Sequence, residues 1–212
     1  MHTNMQKQAP LLQNEQKRIC LTFDDGPDLQ YTPKILDILD AYGVRSSFFC
    51  IGSQVTKFPH VLRRMVRDGH IVANHSWSHP YLTKESASSV RMQLEQTSDI
   101  IEEIVGLRPR LFRPPYGDID DTVSAQVHSL GYDIVLWDVD SVDWSGISGP
   151  NILANVLPPL QADSILLHHC AGNVRGTVDA LPYLIEVAHA MGYEFVTVDA
   201  LMGNSAYQLE QR

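Results

Sequence analysis

Residues Leu21–Pro27 read LTFDDGP, a β-favouring run that ends in two adjacent carboxylates and a Gly-Pro turn. The residues just upstream extend the run to RICLTF, Arg18–Phe23, and predict a strand ending where Asp24 and Asp25 begin. Adjacent like charges repel, and neither aspartate favours a strand. An ordinary surface turn would also accept Asp and Gly, through local hydrogen bonding and positive φ. The surrounding pattern has to separate a plain turn from a pair placed for chemistry.

Outward from this stretch, β-rich runs alternate with amphipathic helices. TPKILDILDAYG places Ile35, Leu36, Ile38 and Leu39 on one helical face and closes on Gly43. RSSFFCI, HIVAN, YDIVLW, DSILLHH and YEFVTV read as further strands. Between them, helices are predicted to end at Gly69, Gly106, Gly131 and Gly192, the longest running from about Lys84 to Val105. This rhythm implies a parallel sheet with crossover helices, as a barrel or an open doubly wound sheet. Either way ligands collect at the C-terminal ends of the strands. Asp24-Asp25, His75, the run DVDSVDW and His168-His169 all fall there. No glycine-rich phosphate loop accompanies them, which argues against nucleotide binding.

The chain has 212 residues, 44% hydrophobic and 19% charged, enough for one domain with a substantial core. A formal net charge of −9 argues against nucleic-acid or anionic-membrane partners and suits a neutral glycan or small substrate. No run approaches membrane-spanning length, so no membrane insertion is expected. Cys20, Cys50 and Cys170 lie far apart without a CxxC pair, so neither a thiolate zinc site nor a disulfide framework is indicated. Cys20 and Cys50 are expected to be small buried hydrophobes. Residues 1–17 form a polar lead-in without the apolar segment of a secretory signal.

NHSWSHP holds His75 and His79 four residues apart, so one helical turn would present both imidazoles to a shared metal. Such spacing is also common among surface histidines. A catalytic site of this kind needs one carboxylate more, which Asp24 or Asp25 could supply. The other histidines, His2, His60, His70, His128 and His189, are expected on the surface or on helix faces. Asp138 and Asp140 are expected to be structural, and Trp77 and Tyr81 to belong to the core more readily than to a sugar platform.

In order, TFDDGP, HSWSH, RPPY (Arg113–Tyr116), DSVDW (Asp140–Trp144) and LHH resemble the five motifs of the NodB-homology polysaccharide deacetylases, carbohydrate esterase family 4. The resemblance runs from about Arg18 to Val198. It implies one α/β domain over 18–203, a distorted, TIM-like (β/α) barrel, with 204–212 as a C-terminal tail. It further implies a metal-dependent hydrolase that removes acetyl groups from N-acetylglucosamine-containing glycans of the peptidoglycan or chitin type. An O-acetyl xylan esterase using the same site and a non-catalytic glycan-binding relative are the alternatives.

By this resemblance Asp25, His75 and His79 hold one Zn²⁺, with Co²⁺ or another divalent ion as substitutes, and Asp24 is the general base. A cation would offset the repulsion between the paired aspartates. Arg113 is implied to pair with Asp24, with a plain surface role as the lesser alternative. The Tyr116 N–H is implied as oxyanion donor, aimed by the stiff Pro114-Pro115 pair. A histidine supported by Asp143 is the acid. His169 is preferred, with Leu167, Trp144 and Pro115 lining the substrate pocket; His168 is the alternative acid under the other alignment of the motif. Strand alternation lets only one of the two face the site. Cys170 stands where the family has Asp. Family habit implies a secreted or wall-associated enzyme, a monomer by default.

Overall fold

The computed structural model describes residues 17–208. His2 and nearly all of the expected lead-in lie outside them. In chain order the elements are β1 (Lys17–Asp24), α1 (Thr32–Tyr42), β2 (Ser47–Cys50), α2 (Gly52–Lys57), α3 (Pro59–Arg67) and β3 (Ile71–Asn74). These are followed by α4 (Ala87–Val105), β4 (Leu111–Phe112), α5 (Asp121–Ser129), β5 (Asp133–Ile134) and β6 (Val139–Asp140). The last are α6 (Gly149–Val156), β7 (Ile165–His169), α7 (Arg175–Ala190), β8 (Tyr193–Phe195) and α8 (Val198–Met202).

All the strand pairs are parallel, in the order β5-β4-β3-β2-β1-β7-β6, with β8 against the first residues of β1. The path ends at β5 and β6 without joining them, so the sheet is a half-barrel wrapped by helices. The five helices read from sequence are α1, α3, α4, α5 and α7. Gly43 and Gly106 close α1 and α4 in the left-handed conformation, at φ 65° and 72°. The helices α2, α6 and α8 have six, eight and five residues, too few for a helical period to show. YDIVLW forms a strand over only two residues, Asp133–Ile134, with the Val135 N–H still donating to Phe112 O at 2.8 Å.

Strand alternation builds two apolar layers. Ile19, Leu21 and Phe23 of β1 face outward with Phe48 and Val72 against α1, α4 and α7. Cys20 faces inward with Phe49, Ala73, Leu111 and Val135. The first layer is sealed by full burial of Leu36, Leu39, Ile101 and Leu184, each contributing roughly 1.5–3 kcal/mol. Residues 204–208, expected as tail, instead dock on the sheet. Arg110 N–H donates to Ala206 O at 2.8 Å, Gln208 N–H donates to Arg108 O at 2.9 Å, and Ala206 is buried. Among the described residues no helix is long and apolar enough to cross a membrane.

Candidate active site

The inward-facing positions of β1 turn polar toward its C-terminal end, from Cys20 to Thr22 to Asp24. Arg113, the first residue after β4, reaches across to this column and is fully buried. One of its terminal nitrogens donates to Asp24 Oδ1 and to Thr22 Oγ1, each at 2.8 Å. Its remaining donors meet the carbonyls of Val135 and Leu136 at 3.1 Å, and its guanidinium lies 4.1 Å from the Phe49 ring centre. A surface role is therefore ruled out. Burial lowers the Arg113 pKa, and the Asp24 carboxylate opposes that loss of charge.

Asp25 adopts φ 72°, which swings its carboxylate away from that of Asp24 and toward two imidazoles. Its Oδ1 lies 3.4 Å from His75 Nε2 and 3.3 Å from His79 Nε2. The expected helical turn over His75–His79 is not formed. The segment is a loop, with Ser76 and His79 at φ 66° and 63°. Side chains replace the helical hydrogen bonds. Asn74 Oδ1 accepts from Ser76 N–H, Gln93 Oε1 accepts from the N–H groups of Trp77 and Ser78, and Ser76 Oγ accepts from His79 N–H.

The donor atoms of Asp25, His75 and His79 all lie within 4.8 Å of one another. Two features fit a divalent cation. Asp25 Oδ1 is buried and has no hydrogen-bond partner. His75 Nδ1 lies 2.7 Å from the Arg113 carbonyl, which can only accept, so Nδ1 carries the proton and Nε2 presents a lone pair. Burial acts to raise the Asp25 pKa, but His75, His169 and His79 outweigh it and hold it at about 2. Burial and then His75 push His79 down, keeping it neutral as a ligand must be.

On β7, Leu167 and His169 face inward, while His168 faces outward. His169 sits opposite Asp24 in the β1 register, and its Nε2 is 4.0 Å from Asp25 Oδ2. Its Nδ1 donates to Asp143 Oδ1 at 2.7 Å, and its backbone N–H donates to Asp143 Oδ2 at 2.8 Å. Burial works to lower the His169 pKa; Asp143, with Asp24 and Asp25, overcomes it and raises it to about 9. His168 packs 5.8 Å from the Phe23 ring in the outer core, and neither of its ring nitrogens has a partner. His70, expected on the surface, is buried and accepts the Ser46 N–H through Nδ1 at 3.1 Å.

These groups border a cleft of about 510 Å³. Leu167 and Trp144 line it, as expected, and Trp144 is 61% exposed at its mouth. Pro115 does not line the cleft; it is buried at the start of the turn that bears Tyr116. Tyr116 holds φ 60°, engages no acceptor through its N–H among the described residues, and stacks on Tyr81 at 4.1 Å. Tyr81 is thus a cleft wall and not a core residue. Trp137 and Asp140 also line the cleft. Trp137 ends the YDIVLW run, and hydrophobicity alone could not tell a wall of the cleft from a strand end.

A parallel half-barrel with an Asp-His-His cluster that fits a cation, an Arg-held carboxylate and an Asp-held histidine at its C-terminal edge defines a hydrolase class. Residues 12–135 match the family model for polysaccharide deacetylase. A Bacillus cereus peptidoglycan-N-acetylglucosamine deacetylase is 39% identical over 189 residues, covering 88% of this chain and 69% of that protein. A Bacillus subtilis peptidoglycan-N-acetylmuramic acid deacetylase is 42% identical over 187 residues, covering 88% of this chain but only 39% of that longer protein. The crystal structure of a peptidoglycan N-acetylglucosamine deacetylase superposes with a TM-score of 0.88 at 38% identity, covering 90% of each chain. The chain belongs to the polysaccharide deacetylase family, hydrolases that act on amide bonds.

Proposed function

We propose that this chain removes N-acetyl groups from N-acetylglucosamine-containing glycans, peptidoglycan foremost. The observation that carries the reading is the placing of Asp24 and His169 side by side at the strand ends, with Asp25 between them and the histidine ligands. Asp25, His75 and His79 would hold a divalent cation, zinc by default, which would supply Lewis acidity to the acetamide carbonyl and to the attacking water. Asp24, oriented by Arg113, which Thr22 in turn helps to hold, accepts a proton from that water as its oxygen bonds to the carbonyl carbon. The Tyr116 N–H serves the oxygen on which negative charge develops. His169, with Nδ1–H tied to Asp143, gives its Nε2 proton to the nitrogen as the C–N bond breaks. The products are acetate and a free amine.

The peptidoglycan preference follows the names of the relatives. Acetate release is measured from peptidoglycan, N-acetylated chitooligosaccharides and acetylxylan, with zinc and with chelator. Chelator-sensitive release from an N-acetylated glycan is expected, and Asp24→Asn should lower kcat by at least about 100-fold, since general-base catalysis contributes that much. Release from acetylxylan alone would move the chain to the esterases, and an unaltered rate in Asp24→Asn would remove the base assignment. No release from any of the three by zinc-loaded protein would support the non-catalytic relative.

A further inference from the structure

Asp143 accepts a third hydrogen bond that the reaction scheme does not use. The Thr177 hydroxyl, on the first turn of α7, donates to Asp143 Oδ2 at 2.5 Å, and Thr177 is fully buried. Asp143 Oδ1 serves the His169 ring, while Oδ2 receives both the His169 N–H and this hydroxyl. Both His169 donors belong to one residue of β7 and can shift with it, whereas the Thr177 hydroxyl ties the same carboxylate to a second element, α7. Held from two elements, the carboxylate is fixed in place, and it in turn sets the direction of the imidazole.

The approach of α7 depends on the residue before. A Cβ on Gly176 would lie 2.1 Å from the Ile147 carbonyl oxygen, a backbone atom that cannot swing aside, and 3.0 Å from Ile152 Cδ1. The missing side chain therefore lets the start of α7 close onto the loop that follows Asp143, bringing the hydroxyl within reach. Gly149 approaches α7 closely from α6 as well, where a Cβ would meet Ala180 N at 3.3 Å. The first turns of α7 are thus pressed closely against residues 147–152.

We propose that Thr177 is a positioning residue for the acid, acting through Asp143 to hold the His169 imidazole in its proton-donating orientation, with Gly176 admitting the helix that carries it. The inference rests on the assignment of His169 as acid, and it adds a residue of the closing helix to the site. A methyl in place of the hydroxyl leaves Asp143 Oδ2 one donor short while keeping side-chain volume. The imidazole is then less well aimed, and misplacement of a catalytic group by about an ångström can cost on the order of 100-fold in rate.

The test compares Thr177→Val, Thr177→Ser and Thr177→Ala in zinc-loaded protein acting on chitotetraose carrying four N-acetyl groups. Val is expected to lower kcat by about 10- to 100-fold with KM within about twofold, and Ser to restore most of it. Ala should behave as Val does and serves if Val does not fold. Gly176→Ala should lower kcat in the same way and add little when combined with Thr177→Val. A second readout does not need turnover: in the proton NMR spectrum the downfield His169 Nδ1–H resonance, assigned by its loss in His169→Gln, should shift or broaden in Val and return in Ser. Unchanged kcat in Val and Ala, Ser no better than Val, or a resonance indifferent to all three would overturn the proposal. Wild-type protein without turnover would count against the proposed function alone, since the resonance still reads the Thr177 contact.

Discussion

At the scale of single residues, one histidine is in the site and its neighbour is beside a phenylalanine. His168 and His169 have the same chemistry, yet the parity of β7 gives His169 a carboxylate and leaves His168 with two unpartnered ring nitrogens. A buried polar group left unpaired costs about 1–3 kcal/mol. His168→Leu, which fills similar space, is therefore expected to raise stability by about 1 kcal/mol and to leave kcat within about twofold, whereas His169→Ala should abolish most turnover. Urea unfolding and acetate release measure both. A loss of activity in His168→Leu matching that of His169→Ala would reverse the assignment of the acid. Cys170, in place of the family aspartate, is fully buried, and its thiol lies 3.4 Å from the Asp24 carbonyl. Burial pushes its pKa up, so it behaves as packing.

At the scale of elements, the junction of α3 and β3 carries a pH dependence of its own. Burial holds His70 at about 4 against its ordinary 6.5, with Asp68 acting in the other direction. The folded chain keeps this imidazole neutral, while the unfolded chain binds its proton between those two pH values. The contribution to stability is complete above pH 6.5 and is lost as pH falls through 4, amounting to roughly 3 kcal/mol at most. His70→Gln should flatten the fall in unfolding free energy between pH 6.5 and 4; a slope equal to that of the unaltered protein would place the titration elsewhere. The loop after β3 teaches a related lesson. The four-residue histidine spacing was visible, but Gln93 and Asn74, far from each other in sequence, decide that it is a loop and not a helical turn.

At the scale of the whole molecule, binding of a cation would be linked to folding, because the three candidate ligands come from the turn after β1 and from the loop after β3 and meet only in the folded chain. Zinc at about one hundred times its dissociation constant should add about 2.7 kcal/mol of stability. For a domain of this length that is about 5–10 °C in Tm, and His79→Ala should lose most of it. Calorimetry with added zinc chloride tests this, and an equal rise in the His79→Ala variant would mean the ion binds elsewhere.

The strand–helix rhythm and the ordered motifs were legible in the sequence, because hydrophobic period, glycine caps and chemically distinctive residues are local. The amino-acid order by itself therefore determined the α/β class, the end of the sheet that carries chemistry, and the set of residue types available there. Only the tertiary structure decided which atoms meet. Asp24 and Arg113 are 89 residues apart, and Asp143 and Thr177 are 34 apart. Strand register sets Asp24 beside His169, the unpaired edges of β5 and β6 leave the barrel half open, and Pro115 is buried away from the cleft it was expected to line. Each of these follows from long-range pairing and close packing, where one residue of register or one missing Cβ changes a contact without changing any local pattern.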